Sequence, residues 1–188
     1  MEKGIFEIII HGRAGQGAKS MAQIIAEAAM AKGKYMQTFP SYGAEKTGAP
    51  MLAYVRISSK PITTHAPVTK ADAVVIIDPT LVDTVNVKDF IKEKAVVLVN
   101  SPKNTEEIKS KLKCSQNIYA IDATGMADRI LKSNHPNMPM LGAFVKATGV
   151  VEMQEVLGHL VCIFAHKMSK EMLDKNITAV KEGYNTIK

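Results

Sequence analysis

Short apolar runs that stop at polar turns recur along this chain and alternate with stretches whose apolar residues return at helical spacing. Phe6 to Ile10, Ala73 to Ile77 and Ala95 to Val99 are nearly uninterrupted apolar segments of strand length, as expected of strands buried on both faces of a parallel sheet. Met51 to Ile57 and Asn117 to Asp122 add two further strands, and Asp78-Pro79 and Asn100-Ser101-Pro102 end the strands before them. Met21, Ile24, Ile25, Ala28 and Ala29 mark one face of a helix that Gly33 terminates. Gln37 to Pro50 reads as a loop dense in small residues. Beyond residue 105 the pattern predicts a short helix over Glu106 to Lys113. A second helix runs through Asp128 and Leu131 with Thr124 as its cap, and a third carries Met140, Leu141, Phe144 and Val145. A longer helix runs from Glu152 through the 160s to Met168 and Met172, with its methionines read as core filler. Together these elements predict an α/β fold: an open, mostly parallel sheet with flanking helices, forming one domain over residues 1–188.

Composition narrows the partners. The chain has 24 Lys and Arg against 18 Asp and Glu, a net charge of +6, which favours anionic ligands or an acidic protein surface. The basic residues are dispersed and lack interleaved aromatic residues for stacking bases, so nucleic acid is not expected. Cys114 and Cys162 are too few and too far apart to hold an iron–sulfur cluster, and Cys162 sits in an apolar run that reads as a buried thiol. No apolar run has the length of a membrane span and the first residues do not resemble a secretory signal, so a cytoplasmic location is expected. His159 and His166 can share a helix face, but no third ligand completes a zinc set, and no metal site is expected. No catalytic triad is legible either, and no residue of this chain is assigned a catalytic role.

The chemistry concentrates in two segments. His11-Gly12-Arg13-Ala14-Gly15-Gln16-Gly17 joins the first strand to the first helix, where free backbone N–H groups and the helix dipole together favour a phosphate or carboxylate. Its glycines are spaced G-x-x-G-x-G, not the G-x-G-x-x-G of dinucleotide-binding turns. Lys19 stands one residue too late for a triphosphate loop, and that extra residue rotates it by about 100 degrees on a helix. The segment therefore reads as an anion-binding turn or a structural tight turn, with His11 held by a structural hydrogen bond. The second segment, Phe39 to Pro50, offers Ser41, Tyr42, Glu45 and Lys46. Such a composition suits a functional loop, and equally an interface loop whose charges are solvated.

Taken in order, His11 to Gly17, Gln37 to Glu45, Gly48-Ala49-Pro50, Ala73 to Leu81 and Met140 to Thr148 resemble the gamma subunit of pyruvate or related 2-oxoacid:ferredoxin oxidoreductases. The resemblance covers most of the chain. Ala14 departs from a position where relatives often carry glycine, and Lys46-Thr47 from one that often bears arginine. The resemblance implies a fold like the gamma domain (domain III) of pyruvate:ferredoxin oxidoreductase. It also implies a heteromeric enzyme with alpha, beta and delta subunits, in which a 2-oxoacid is oxidatively decarboxylated and its acyl group passed to coenzyme A. Thiamine diphosphate, magnesium and iron–sulfur clusters are then expected in the partner subunits, with ferredoxin as electron acceptor. For this chain it implies a share in the coenzyme A site through Gly12, Arg13, Gly15, Gln16, Gly17 and Lys19, with Ser41, Tyr42, Glu45 and Lys46 on an intersubunit loop. Pyruvate is the expected oxoacid and 2-oxoisovalerate the alternative. A noncatalytic nucleotide-binding or assembly module is the alternative from another class.

Overall fold

The computed structural model describes residues 4–42, 48–114 and 116–187. Six strands form its frame: β1 (Ile5–Arg13), β2 (Tyr35–Tyr42), β3 (Pro50–Ser58), β4 (Ala71–Ile76), β5 (Ile91–Asn100) and β6 (Asn117–Ile121). They lie in one sheet in the order β2-β3-β1-β4-β5-β6. β1, β4, β5 and β6 run parallel, and β3 and then β2 extend the sheet antiparallel beyond β1. The expected open, mostly parallel sheet is present, with an antiparallel hairpin at one side.

The six helices are α1 (Ala18–Ala31), α2 (Thr105–Leu112), α3 (Ala123–Leu131), α4 (Asn137–Thr148), α5 (Met153–Phe164) and α6 (Lys170–Thr186). Their distribution is uneven because successive strand residues point to opposite faces. Ile8, Ile10, Ala53, Val55, Val75 and Leu98 join one core with α1, α3, α4, α5 and α6. Ile9, Tyr54, Val74, Ile76, Val97 and Val99 join the other, which holds α2, Val68 and the connection from Pro79 to Phe90. Ile8, Ile24 and Ile25 are fully buried, and each such side chain contributes roughly 1.5–3 kcal/mol relative to exposure.

Four local expectations are corrected. Residues 35–42 form a strand, not a loop, because β2 is an edge strand where Pro40 can lack its ladder donor. Thr124 is not the cap of α3: Asp122 accepts from the Gly125 N–H at 2.8 Å, and Thr124 instead bonds the buried Asn100. The long final helix is two helices, since α5 ends at Phe164 and Ser169 starts α6 by accepting from the Met172 N–H. Cys162 is exposed, because Val156 and Leu160 define the inward stripe of α5 and residue 162 falls outside it. Gly33 does follow α1 in the left-handed conformation, at φ 72°.

Candidate anion-binding site at the carboxyl edge of the sheet

The chain leaves β1 and β4 towards opposite faces. From β1 it turns into α1 on the five-helix side. From β4 it enters the 79–90 connection on the other side. Divergent crossovers at neighbouring parallel strands open a crevice outside their carboxyl ends, the usual ligand position in open α/β sheets.

Two turns line this crevice. In the first, Gly17 adopts φ 82°, ψ 18° and starts α1 without any side-chain cap, and no acidic residue occupies the first helical turn. The Met21 N–H bonds the Gly17 carbonyl, the first bond of the helix, so the preceding N–H groups are the donors a helix start leaves free. Fourteen residues of aligned peptide dipole end at this point. In the second turn, Asp78 caps a 3-10 turn at Pro79–Leu81 by accepting from the Thr80 N–H at 2.9 Å.

A side-chain network joins the two. Arg13 Nε lies 3.4 Å from Asp78 Oδ2, and its terminal nitrogens donate to the Gly48 carbonyl at 3.1 Å and to Thr80 Oγ1 at 3.0 Å. The Gln16 amide donates to Asp78 at 2.5 Å while its oxygen accepts from the Arg13 N–H at 2.8 Å. Burial alone would push the Asp78 carboxyl up. Hydrogen bonds from Thr80 and Gln16 and the Arg13 charge outweigh that and hold it below the usual carboxylate range. Asp78 is therefore ionised and neutralises Arg13. On the helical side, Asn137 is buried against Gly17 and its Nδ2 lies 3.5 Å from the Gly17 carbonyl.

The predicted residues divide accordingly. Gly12, Arg13, Gly15, Gln16 and Gly17 do share one turn, but the Gln16 side chain is spent within the protein and Arg13 is already paired. Lys19 lines a separate cleft between α1 and β2, beside Met36, Thr38 and Pro40. Ser41 stands near the end of β2, and Tyr42 ends that strand with a side chain outside the described residues. Glu45 and Lys46 also lie outside the described residues. Sequence reasoning missed Asp78 and Asn137 as supports of the turn. Asp before Pro is a cap signature that could have identified the first, whereas nothing in the sequence marks Asn137.

Two clefts flank the turn. One, on the helical side, has a volume near 430 Å³ and is lined by Gly15, Gly17, Ser20, His135 and the rim methionines Met168 and Met172. Those two methionines are not core filler, unlike the fully buried Met21 and Met140. The other cleft, near 560 Å³, lies over His11 on the opposite face.

His11 lacks the structural hydrogen bond expected of it: the residue is 6% exposed and its Nε2 is buried without a partner. Burial pushes its pKa down to about 4 from 6.5, leaving the ring neutral at pH 7. The unfolded chain then binds the extra proton between those values. The stability of the neutral folded form is present in full above pH 6.5 and is lost as pH falls towards 4, by up to roughly 3 kcal/mol. Urea unfolding between pH 7.5 and 4.5 should show this loss in wild type and not in His11→Leu. Identical pH profiles for the two would reject a buried neutral imidazole.

Comparison with known proteins agrees over the whole of this framework. Residues 7–186 match the family model for pyruvate ferredoxin/flavodoxin oxidoreductase. The pyruvate synthase subunit PorC of Thermotoga maritima is 43% identical over 186 residues, spanning 99% of this chain and 96% of that protein. The common gamma subunit of the pyruvate and ketoisovalerate oxidoreductases of Thermococcus kodakarensis is 41% identical over 182 residues, spanning 96% of each. The crystal structure of pyruvate oxidoreductase subunit PORC from Thermotoga maritima superposes with a TM-score of 0.86 at 41% identity, covering 97% of both chains. The 2-oxoglutarate:ferredoxin oxidoreductase of Magnetococcus marinus, solved with 2-oxoglutarate, coenzyme A and succinyl-CoA bound, shares the fold. Its TM-score is 0.80 at 24% identity, over 100% of this chain and 32% of that one.

Proposed function

Because this chain belongs to the pyruvate ferredoxin/flavodoxin oxidoreductase family as a subunit of gamma type, we propose that the turn opening α1 receives the phosphate groups of coenzyme A within the assembled enzyme. The observation that carries this reading is the uncapped start of a 14-residue helix directly behind β1. Backbone N–H groups supply the donors there, and the paired Arg13 and Asp78 present little net charge. Gly15, with open space where a Cβ would stand, lets the backbone approach the ligand closely, Gly17 supplies the left-handed backbone that starts the helix, Arg13 and Gln16 hold the turn in shape, and Lys19 stands apart from the contact. The bound coenzyme A in the Magnetococcus marinus enzyme supports the ligand's identity.

In this reading the chain is one part of a shared site. Thiamine diphosphate, magnesium and iron–sulfur clusters belong to alpha, beta and delta partners, where they supply decarboxylation and electron transfer to ferredoxin. Pyruvate is the oxoacid, in keeping with the names of the Thermotoga and methanogen relatives. The name of the Thermococcus subunit, common to pyruvate and ketoisovalerate enzymes, favours 2-oxoisovalerate as a second substrate of such assemblies.

Ser20→Asp separates this reading from a purely structural turn. A carboxylate in the first turn of α1 stabilises the helix by about 0.3–1 kcal/mol and repels a phosphate at the same place. In the assembled enzyme KM for coenzyme A should rise at least about tenfold with unfolding stability unchanged or higher. Unaltered dependence on coenzyme A would overturn the reading. A noncatalytic nucleotide-binding module would instead bind a free nucleotide tightly without thiamine-binding partners copurifying.

A further inference from the structure

Lys19, set apart from the turn, borders an open edge of the sheet. β2 pairs with β3 on one side and has no strand on the other, and no turn or loop backbone bonds to residues 35–42 among the described residues. A proline within an edge strand turns its nitrogen towards solvent, so Pro40 faces outward. By strand alternation Met36 and Thr38 then also direct their N–H and C=O groups away from β3. Such a row of free backbone groups is a template for another extended chain. Beside it a narrow cleft, near 190 Å³, lies between α1 and β2, lined by Lys19, Gln23, Glu27, Met36, Thr38 and Pro40. Small-molecule sites span about 300–1,000 Å³, so this cleft suits one side chain of a neighbouring strand better than a free ligand. Its ends differ in charge. α1 runs back from the end of β1 to the start of β2, which puts Lys19 towards Pro40 and Glu27 towards Met36, with Glu27 held at the rim by the Gln23 amide at 2.8 Å. Lys19 and Glu27 stand about 12 Å apart along the helix, and residues i and i+4 of a strand about 13 Å, with i+2 between them on the same face.

We infer that an extended segment of a partner subunit adds to β2 as a further strand, with an acidic and a basic residue four apart meeting Lys19 and Glu27 and an apolar side chain between them filling the cleft. The inference rests on the reading of this chain as one subunit of a heteromeric enzyme, and not on the coenzyme A site. Main-chain bonds to Met36 and Thr38 supply affinity and the cleft supplies specificity, the usual division in strand addition. A second copy of this chain is a poor occupant. Tyr35–Tyr42 carries no charged residue to meet Lys19 or Glu27, and antiparallel self-pairing places two prolines in one ladder.

Amide hydrogen exchange resolved to single residues, on the full chain alone and in the assembled enzyme, reads the pairing directly. Met36 and Thr38 should exchange at least about tenfold more slowly in the complex, while Gln37 and Phe39, whose backbone groups face β3, change little. Equal exchange at Met36 and Thr38 in the two states overturns the inference. Protection in the free chain that grows with its concentration overturns it in favour of self-pairing. Two variants probe the parts: Thr38→Pro removes an outward donor at an edge position, and Gln23→Trp closes the cleft from its exposed rim. Each should raise the Kd for the partner subunits about tenfold in a subunit titration, with KM for coenzyme A unchanged in enzyme assembled at saturating subunit. Ser20→Asp should do the reverse, so this inference and the coenzyme A reading fail separately. Normal association of both variants would leave the edge of β2 without a partner strand and overturn the inference. Where Thr38→Pro does not fold, the wild-type exchange and Gln23→Trp decide the matter.

Discussion

Gly142→Val is expected to unfold the helical layer more thoroughly than any other single substitution considered for this chain. α4 and α6 cross so closely that a side chain on either glycine at the crossing has nowhere to go. A Cβ at Gly142 would overlap the Val180 carbonyl oxygen and come within 2.8 Å of the Tyr184 nitrogen, and one at Gly183 would overlap the Pro139 carbonyl oxygen. The obstacles are backbone atoms, so no rotamer change relieves the clash and the helices must separate. Overpacking a core that can adjust costs about 1–3 kcal/mol. Here Gly142→Ala should lose about 3 kcal/mol or more and Gly142→Val should prevent stable folding, given a typical total of about 5–15 kcal/mol. Urea unfolding followed by far-ultraviolet circular dichroism is the measurement. A midpoint for Gly142→Ala within error of wild type would show that the crossing is looser than described.

Gly17→Ala should be the most damaging change at the candidate site, through two separable causes. The backbone at φ 82° is costly for any residue with a Cβ, by about 1–2 kcal/mol. The added methyl would also overlap the Asn137 amide, with Cγ at 2.5 Å and Oδ1 at 3.0 Å. Asn137 is buried at the start of α4, so the turn has to move. Displacing positioned groups by about 1 Å can cost on the order of a hundredfold in rate. kcat/KM for coenzyme A should therefore fall by about that much in the assembled enzyme. Adding Asn137→Ala should recover the steric part and leave the backbone part, a non-additive pair. Normal coenzyme A dependence in Gly17→Ala would dissociate the turn from the cofactor.

The parts of the fold that could be read from the sequence were those where one physical rule acts alone. Ile8 to Ile10, Val74 to Ile77 and Val97 to Val99 are apolar because both faces of a parallel strand are covered, and their positions were legible. The strand at 35–42 was not, because an edge strand open to solvent on one side needs no apolar run and tolerates Pro40. Apolar spacing carried across Ala165 to Met168 concealed the break between α5 and α6, which the cap at Ser169 marks instead. At the site, the glycine turn could be recognised from its residues, but the roles of its side chains could not. Arg13 and Gln16 had the chemistry of ligand contacts, yet both are engaged by Asp78, 62 residues beyond Gln16. The glycine contacts at Gly142 and Gly183 depend on a helix crossing and left no local trace.

The knot that Arg13, Gln16 and Thr80 tie around Asp78 has an entropic consequence. The turn is already rigid before any guest arrives, so complex formation need not order a loop, and little affinity is forfeited to conformational freedom of the host. Capture then resembles docking onto a preorganised surface, with the main ordering penalty falling on the flexible guest.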